Sequence, residues 1–304
     1  MTTQRIDPNP STHSSVVLAA IDIGSNAARI LIKRVDNSPQ GVRIKKLQFV
    51  RIPLRLGMDV FANGTIGNER RIMLLRTMKA FRQMLLIYQA NRYLAYATSA
   101  FRDARNGTDL IREIKKKTGL QINVISGEEE ARIIHDNFHA EGNLLYMDVG
   151  GGSTEFSLVC DGQTIESRSV NIGTIRLLKE TVDIRQWDEL AQLVTSMTAG
   201  IEHIRIVGSG GNINKLNQLA GNGRKSQSEL SVDTLISLYE EMSQHTAEEL
   251  MDRYDLSESR ADVIVPAAKL FIMVARHIGA GTILVPNVGL ADGMINLMAQ
   301  DKIK

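Results

Sequence analysis

The chain holds a single cysteine, Cys160, so no internal disulfide can form and the fold must rest on packing. A lone thiol suits a reducing compartment, and the expectation is a cytoplasmic protein. Aromatic residues make up only 5%, with one tryptophan, which leaves little to stack against bases and disfavours nucleic acid as a partner. No apolar stretch approaches the roughly 18 residues that span a bilayer, so no membrane segment is expected. The opening MTTQRIDPNPSTHSS lacks an apolar secretory segment, and residues 1–14 read as a disordered tail.

What is present is a globular composition, 43% hydrophobic and 23% charged, over 304 residues, enough for two domains. The net charge of +2 hides an asymmetry. Residues 1–138 carry 22 Lys and Arg against 12 Asp and Glu, whereas the remainder carries 14 against 22. A basic half joined to an acidic half points to a polyanionic partner.

Apolar runs at 15–35 read as strand, tight turn, strand, and 42–56 as a further strand. Leu74, Met78, Phe81, Leu85 and Tyr88 recur at helical spacing, so 68–91 is expected to be a helix with Asn68 as N-cap. A strand at 92–99, a helix at 108–119, a strand at 120–126 and a helix at 127–140 follow. Beyond residue 156 come a hairpin, a helix, a strand at 201–211, mostly helix over 229–276, and a late strand, Gly turn and final helix. This alternation predicts an α/β fold.

LAAIDIGSNAARILIKRV and LLYMDVGGGSTEFSLVCDG share one layout: apolar strand, Asp, Gly turn, apolar strand. Their aspartates, Asp22 and Asp148, lie 126 residues apart, about one domain length. The repeat implies two related domains, 15–138 and 139–304, around a cleft, with the final helix free to pack back on the first.

A bare glycine turn lets backbone N–H groups approach an anion. DVGGGST adds the hydroxyls of Ser153 and Thr154, and DIGSN adds Ser25 and Asn26. Neither fits a Walker loop, and GSGGNINKL fails the dinucleotide fingerprint because Ile213 replaces its third Gly. Phosphate beside bare carboxylates is repulsive unless a cation intervenes, and Mg²⁺ takes one or two carboxylates plus phosphate oxygens. Asp148 and Glu155 flank the second turn in that manner.

In VISGEEEARII, Ser126 and Glu129 have capping-box spacing and Glu128 can pair with Arg132. Glu130 is left without a local task and could serve as a general base. In ATSAFRDARNG, Thr98 and Ser99 end a strand and Arg102 and Arg105 follow, as arginine forks suited to phosphate. His135 and His139 have metal-capable spacing, but no third ligand is apparent.

Together AAIDIGSNAARILI, YATSAFRDARN, VISGEEEARII, YMDVGGGSTEF, NIGTIRL and VGSGGNINKL resemble the exopolyphosphatase / guanosine pentaphosphate phosphohydrolase family, of the actin, sugar-kinase and heat-shock-chaperone superfamily. The resemblance implies two ribonuclease-H-like domains around a cleft. It implies Mg²⁺-dependent (or Mn²⁺-dependent) hydrolysis of terminal phosphate from polyphosphate or guanosine pentaphosphate. It assigns Glu130 as general base, Arg102 as the phosphate-contacting arginine, and Asp148, Glu155 and Asp22 as metal-linked acids. Phosphate contacts fall on Gly24, Ser25, Asn26, Thr98, Ser99, Gly150, Gly151, Gly152, Ser153, Thr154, Gly210 and Gly211. Ala27 stands where the family often has Ser or Thr, and GSGGNINKL lacks the threonines usual in that turn. Longer members continue into helical C-terminal domains that hold long polyphosphate and contribute to dimers. The expectation is therefore for shorter chains as substrate, with a homodimer still allowed. A non-catalytic binder of polyphosphate or guanosine tetraphosphate is the alternative, and a small-molecule kinase a further one; intact acids argue against the first, and no acceptor motif supports the second.

Overall fold

The computed structural model describes residues 14–38, 41–135, 140–222 and 228–300. In chain order the first part runs β1 (Ser14–Ile23), β2 (Ala28–Ser38), β3 (Gly41–Ile52), α1 (Leu56–Asn63), α2 (Asn68–Ile87), β4 (Arg92–Ala97), α3 (Ser99–Asp103), α4 (Gly107–Thr118), β5 (Asn123–Val124) and α5 (Gly127–His135). The second runs β6 (Leu144–Val149), β7 (Thr154–Cys160), β8 (Gln163–Val170), α6 (Thr174–Leu178), α7 (Ile184–Thr198), β9 (Arg205–Ser209), α8 (Gly211–Asn217), β10 (Ser228–Ser231), α9 (Val232–Met242), α10 (Ala247–Tyr254), α11 (Glu258–His277), β11 (Thr282–Val285) and α12 (Leu290–Gln300).

The strands form two sheets, ordered β3-β2-β1-β4-β5 and β10-β11-β9-β6-β7-β8. Both share a plan. A central strand, β1 or β6, pairs antiparallel with the strand after it and parallel with a later one, β4 or β9. The central strands read as nearly unbroken apolar runs because both faces are covered. On the first sheet, Ile21, Ile30 and Ile32 meet Leu74, Met78 and Phe81 of α2, and Leu110 and Ile114 of α4. On its other face Leu18, Ala20 and Leu31 meet Met294, Ile295 and Met298 of α12 and Ile133 and Ile134 of α5. The second sheet packs Leu145, Met147, Phe156 and Leu158 against α7, α9 and α11 through Leu190, Val194, Leu235 and Phe271.

Several elements differ from the sequence reading. The strand expected over 42–56 ends at Ile52, because Pro53 has no N–H for the ladder. Arg55, at φ +51°, then turns the chain into α1. Gly67 rather than Asn68 occupies the N-cap of α2, which stops at Ile87. The strand expected over 120–126 shrinks to two residues, since only Tyr96 and Ala97 face it. Glu128 lies 4.0 Å from Arg168 instead of pairing with Arg132. Ser126 accepts the Glu129 amide at 3.1 Å, half of the expected capping box. Residues 1–13, the end of the helix expected to reach 140, and His139 lie outside the described residues; His135 is buried, with Nδ1 3.2 Å from Thr164. No described helix is long and apolar enough to cross a membrane.

Candidate active site

The two hairpins agree residue for residue at an offset of 126. Asp22 faces Arg29 across β1 and β2, and Asp148 faces Glu155 across β6 and β7. Each four-residue turn closes with one backbone bond, Gly24 N to Ala27 O at 3.0 Å and Gly150 N to Ser153 O at 2.9 Å. Each turn then rests on the start of a short helical element. The amides of Arg55 and Gly57 donate to Asn26 O and Ser25 O, and those of Thr174 and Ile175 to Gly150 O and Gly151 O. The Gly152 carbonyl is bound by a side chain, with Arg176 Nε at 2.7 Å. Every carbonyl of the second turn thus has a donor of its own. Among the described residues no acceptor meets the amides of Gly151, Gly152 and Ser153, which leaves three successive donors of the kind from which anion-binding concavities are built.

The turns approach each other closely, which explains the glycines. A Cβ on Gly151 would lie 2.9 Å from the Ser25 Cβ, and one on Gly152 would lie 2.3 Å from Phe61 Cζ and 2.7 Å from Ser99 Oγ. Ser25 and Ser99 share a buried hydroxyl bond of 2.8 Å. Thr98, also buried, follows β4 as the N-cap of α3 and accepts the Arg102 amide at its carbonyl. Arg102 Nη1 donates to Ile125 O at 2.9 Å and reaches Glu130 at 3.4 Å; its Nη2 lies 3.3 Å from Ser153 Oγ and 3.9 Å from Glu155. Arg102, Glu130, Ser153 and Glu155 therefore meet at one point, although they come from α3, α5 and the β6–β7 hairpin.

The acids are unevenly compensated. Asp22 is paired with Arg29 at 2.5 Å. Asp148 accepts Ser209 Oγ at 2.8 Å, and Glu155 accepts Ser169 Oγ at 3.0 Å and Ser153 Oγ at 2.5 Å. Burial raises the Asp148 carboxyl despite the Ser209 bond and Arg29. Burial pushes Glu155 up to about 7, with Asp148 adding to the shift and the bond from Ser153 opposing it. Glu130 is driven well above the carboxylate range by burial and then by the Glu155 charge, with Arg102 opposing. Like charges directly opposite on an antiparallel ladder are destabilising. Asp148 and Glu155 occupy such a pair, where the first hairpin has an acid and a base.

Some expected site residues serve other ends. The Asn26 amide donates to Ser259 O at 2.8 Å, across the cleft. The Thr154 hydroxyl donates to Ile172 O at 2.6 Å, on the sheet face opposite Glu155. Gly210, at φ +92°, passes so close to Asp148 that a Cβ would lie 2.5 Å from Oδ1. The Gly211 carbonyl accepts Arg260 Nη1 at 2.8 Å. Arg260 belongs to a group that the sequence did not reveal. Arg29 and Arg51 are direct cross-strand partners on β2 and β3, and Arg260 reaches them from α11. Arg51 has a buried Nε without a hydrogen-bond partner, and burial together with Arg29 and Arg260 lowers it to about 10. Arg29 could have been found by extending the 126-residue offset from Glu155; Arg51 and Arg260 leave no local signal.

Among the described residues no group of three or more His, Cys, Asp or Glu could hold a metal ion alone. Asp148 and Glu155 nevertheless fit an ion of the Mg²⁺ type, which keeps waters and phosphate oxygens in its shell and needs few protein ligands. They face each other across β6 and β7, so one such ion could be shared by both carboxylates.

The sequence matches the Ppx/GppA phosphatase family over residues 35–302. The chain belongs to this family. Exopolyphosphatase 1 of Mycobacterium tuberculosis is 26% identical over 302 residues, covering 91% of this chain and 87% of that protein. A bifunctional 3-dehydroquinate synthase/phosphatase of Fusobacterium nucleatum is 34% identical over 172 residues, 53% of this chain but only 26% of that longer protein. Among solved structures, an exopolyphosphatase from Cytophaga hutchinsonii superposes with a TM-score of 0.82 at 23% identity, covering 94% of this chain and 98% of that one. The Aquifex aeolicus Ppx/GppA family member gives 0.77 at 22%, covering 96% and 100%. These likenesses establish the fold, the actin-like pair of α/β units seen in the two sheets.

Proposed function

We propose that the chain hydrolyses the terminal phosphoanhydride of inorganic polyphosphate, of guanosine pentaphosphate, or of both. The observation that carries this reading is the row of free amides at Gly151, Gly152 and Ser153, with Arg102 and Glu130 beside it. The exopolyphosphatase relatives support the substrate class. The amides and Arg102 hold the terminal phosphoryl oxygens and stabilise the charge that builds on them. Glu130 takes a proton from water as the water oxygen bonds to phosphorus. The anhydride P–O bond breaks on the opposite side, and the remaining chain leaves as a phosphate anion. A bound Mg²⁺ or Mn²⁺, held through Asp148 and Glu155, supplies charge neutralisation for those acids and for phosphate oxygens. Asp22, whose Oδ2 is already bound by Arg29, would add its charge to the same group of acids. Arg29, Arg51 and Arg260 suit phosphates further along the substrate. The division into domains at 15–138 and 139–304 belongs to the same proposal, with α12 crossing to the first sheet.

Phosphate release from short polyphosphate, long polyphosphate and guanosine pentaphosphate, with Mg²⁺ and with EDTA, tests the reading. Release that requires the ion supports it. No release from any substrate with any divalent ion would reject it in favour of a non-catalytic binder.

A further inference from the structure

Arg176 lies on α6, outside the group of acids and glycines that the reaction uses directly. Its guanidinium makes three contacts at once. Nε donates to Gly152 O at 2.7 Å, Nη2 is paired with the carboxylate of Asp103, and the group stacks over Phe61 at 4.1 Å from the ring centroid. The Arg176 side chain is only 15% exposed and its bond to Gly152 is partly buried, while its Asp103 partner lies at the surface. Asp103 directly follows Arg102 on α3, and Phe61 sits on α1; both elements belong to the first sheet's half of the molecule, while Gly152 and Arg176 belong to the second. In the first turn the equivalent carbonyl, Asn26 O, is held by a backbone amide, that of Arg55. In the second turn a side chain does this work.

The peptide unit is planar, so holding the Gly152 carbonyl outward turns the Ser153 N–H inward. Glycine permits the alternative orientation at little steric cost. We infer that Arg176 is a positioning residue: it locks the Gly152–Ser153 peptide with its N–H toward the phosphoryl group, and Asp103 ties that lock to the wall that carries Arg102. The inference rests on the phosphohydrolase reading for its consequence in catalysis, but the peptide orientation can be measured without turnover. Lysine cannot replace this arginine, because one ammonium lacks the planar fork that meets a carbonyl and a carboxylate together.

Arg176→Lys, Arg176→Ala and Asp103→Asn, alone and combined, are compared with the wild type. Loss of one preorganised donor lowers kcat about 100-fold. Arg176→Ala is therefore expected to show that fall with KM for polyphosphate changed less than threefold, roughly a loss felt only in the transition state. Arg176→Lys is expected to recover little of it. Asp103→Asn should lower kcat in the wild type yet add almost nothing in the Arg176→Ala background. Amide hydrogen exchange at Ser153, followed by NMR without substrate, is expected to accelerate in both Arg176 variants. That readout stands even if the wild type hydrolyses none of the substrates, which would reject the functional reading alone. Unchanged Ser153 exchange overturns the inference. So does a kcat of Arg176→Lys within twofold of wild type, or a loss of activity wholly accounted for by a lower folded fraction.

Discussion

At the scale of single residues the site depends on carboxylates that are costly to ionise. Glu130→Gln keeps the shape and removes the base, so kcat is expected to fall about 100- to 10,000-fold while substrate binding persists; steady-state phosphate release and filter binding of short polyphosphate separate the two. The pH dependence has a defined sign. Burial pushes Glu155 up to about 7 in the fold from the usual 4.5 of a glutamate, and Glu130 and Asp148 are raised as well. The folded chain therefore binds more protons than the unfolded one between those values. Without a divalent ion, thermal stability is expected to be greatest below the ordinary carboxylate range and to fall as pH rises through about 7. Melting curves in EDTA should show that slope, Mg²⁺ should reduce it, and Glu155→Gln should flatten it. Asp183 and Glu249, held low chiefly by backbone hydrogen bonds at helix caps, act in the opposite sense and only in more acid solution.

At the scale of elements the two hairpins are the organising unit, and much of them was legible in the chain. Asp, Gly and the flanking apolar runs recur with equal loop length, so Asp22 and Asp148 could be matched before any fold was known. The directions of side chains were less accessible. Successive residues of a strand face opposite sides, so once Glu155 looks into the cleft, Thr154 must look away, toward Ile172. The helical element beneath each turn was also hidden. α1 begins at the end of an apolar run, 42–56, that reads as strand throughout although Pro53 interrupts it, and Arg51 and Arg260 meet only through tertiary packing, 209 positions apart. The close seating of turn on helix is testable at Gly173. A Cβ there would lie 2.6 Å from the backbone of Gly151 and Gly152, where no flexible group can yield. Gly173→Ala should displace the phosphate turn and abolish phosphate release. Gly162→Ala, at φ +76° in open space, should cost about 1 kcal/mol of stability and leave kcat unchanged; denaturant melts paired with activity assays distinguish the cases.

At the scale of the whole molecule the two halves are clasped across the cleft. Arg55 binds Glu258 at 2.8 Å and also Asp262, both on α11, and Asn26 reaches Ser259. Such a partly exposed pair contributes about 1 kcal/mol or less. Asp262→Ala should therefore raise KM for polyphosphate roughly fivefold at most, with faster amide exchange at the start of α11 as the independent sign of a looser clasp. The other long-range tie is α12. Met294, Ile295 and Met298 complete the core on the face of the first sheet that Leu18, Ala20 and Leu31 present. During synthesis α5 can cover part of that face early, but the rest stays bare until residues 290–298 have been translated, a wait on the order of tens of seconds at ordinary elongation rates. The first sheet's core is thus completed only after the second sheet's strands have been made. Ribosome-bound chains stalled before residue 290 should expose β1 and β2 to protease, and should be the form of this protein that most needs a chaperone.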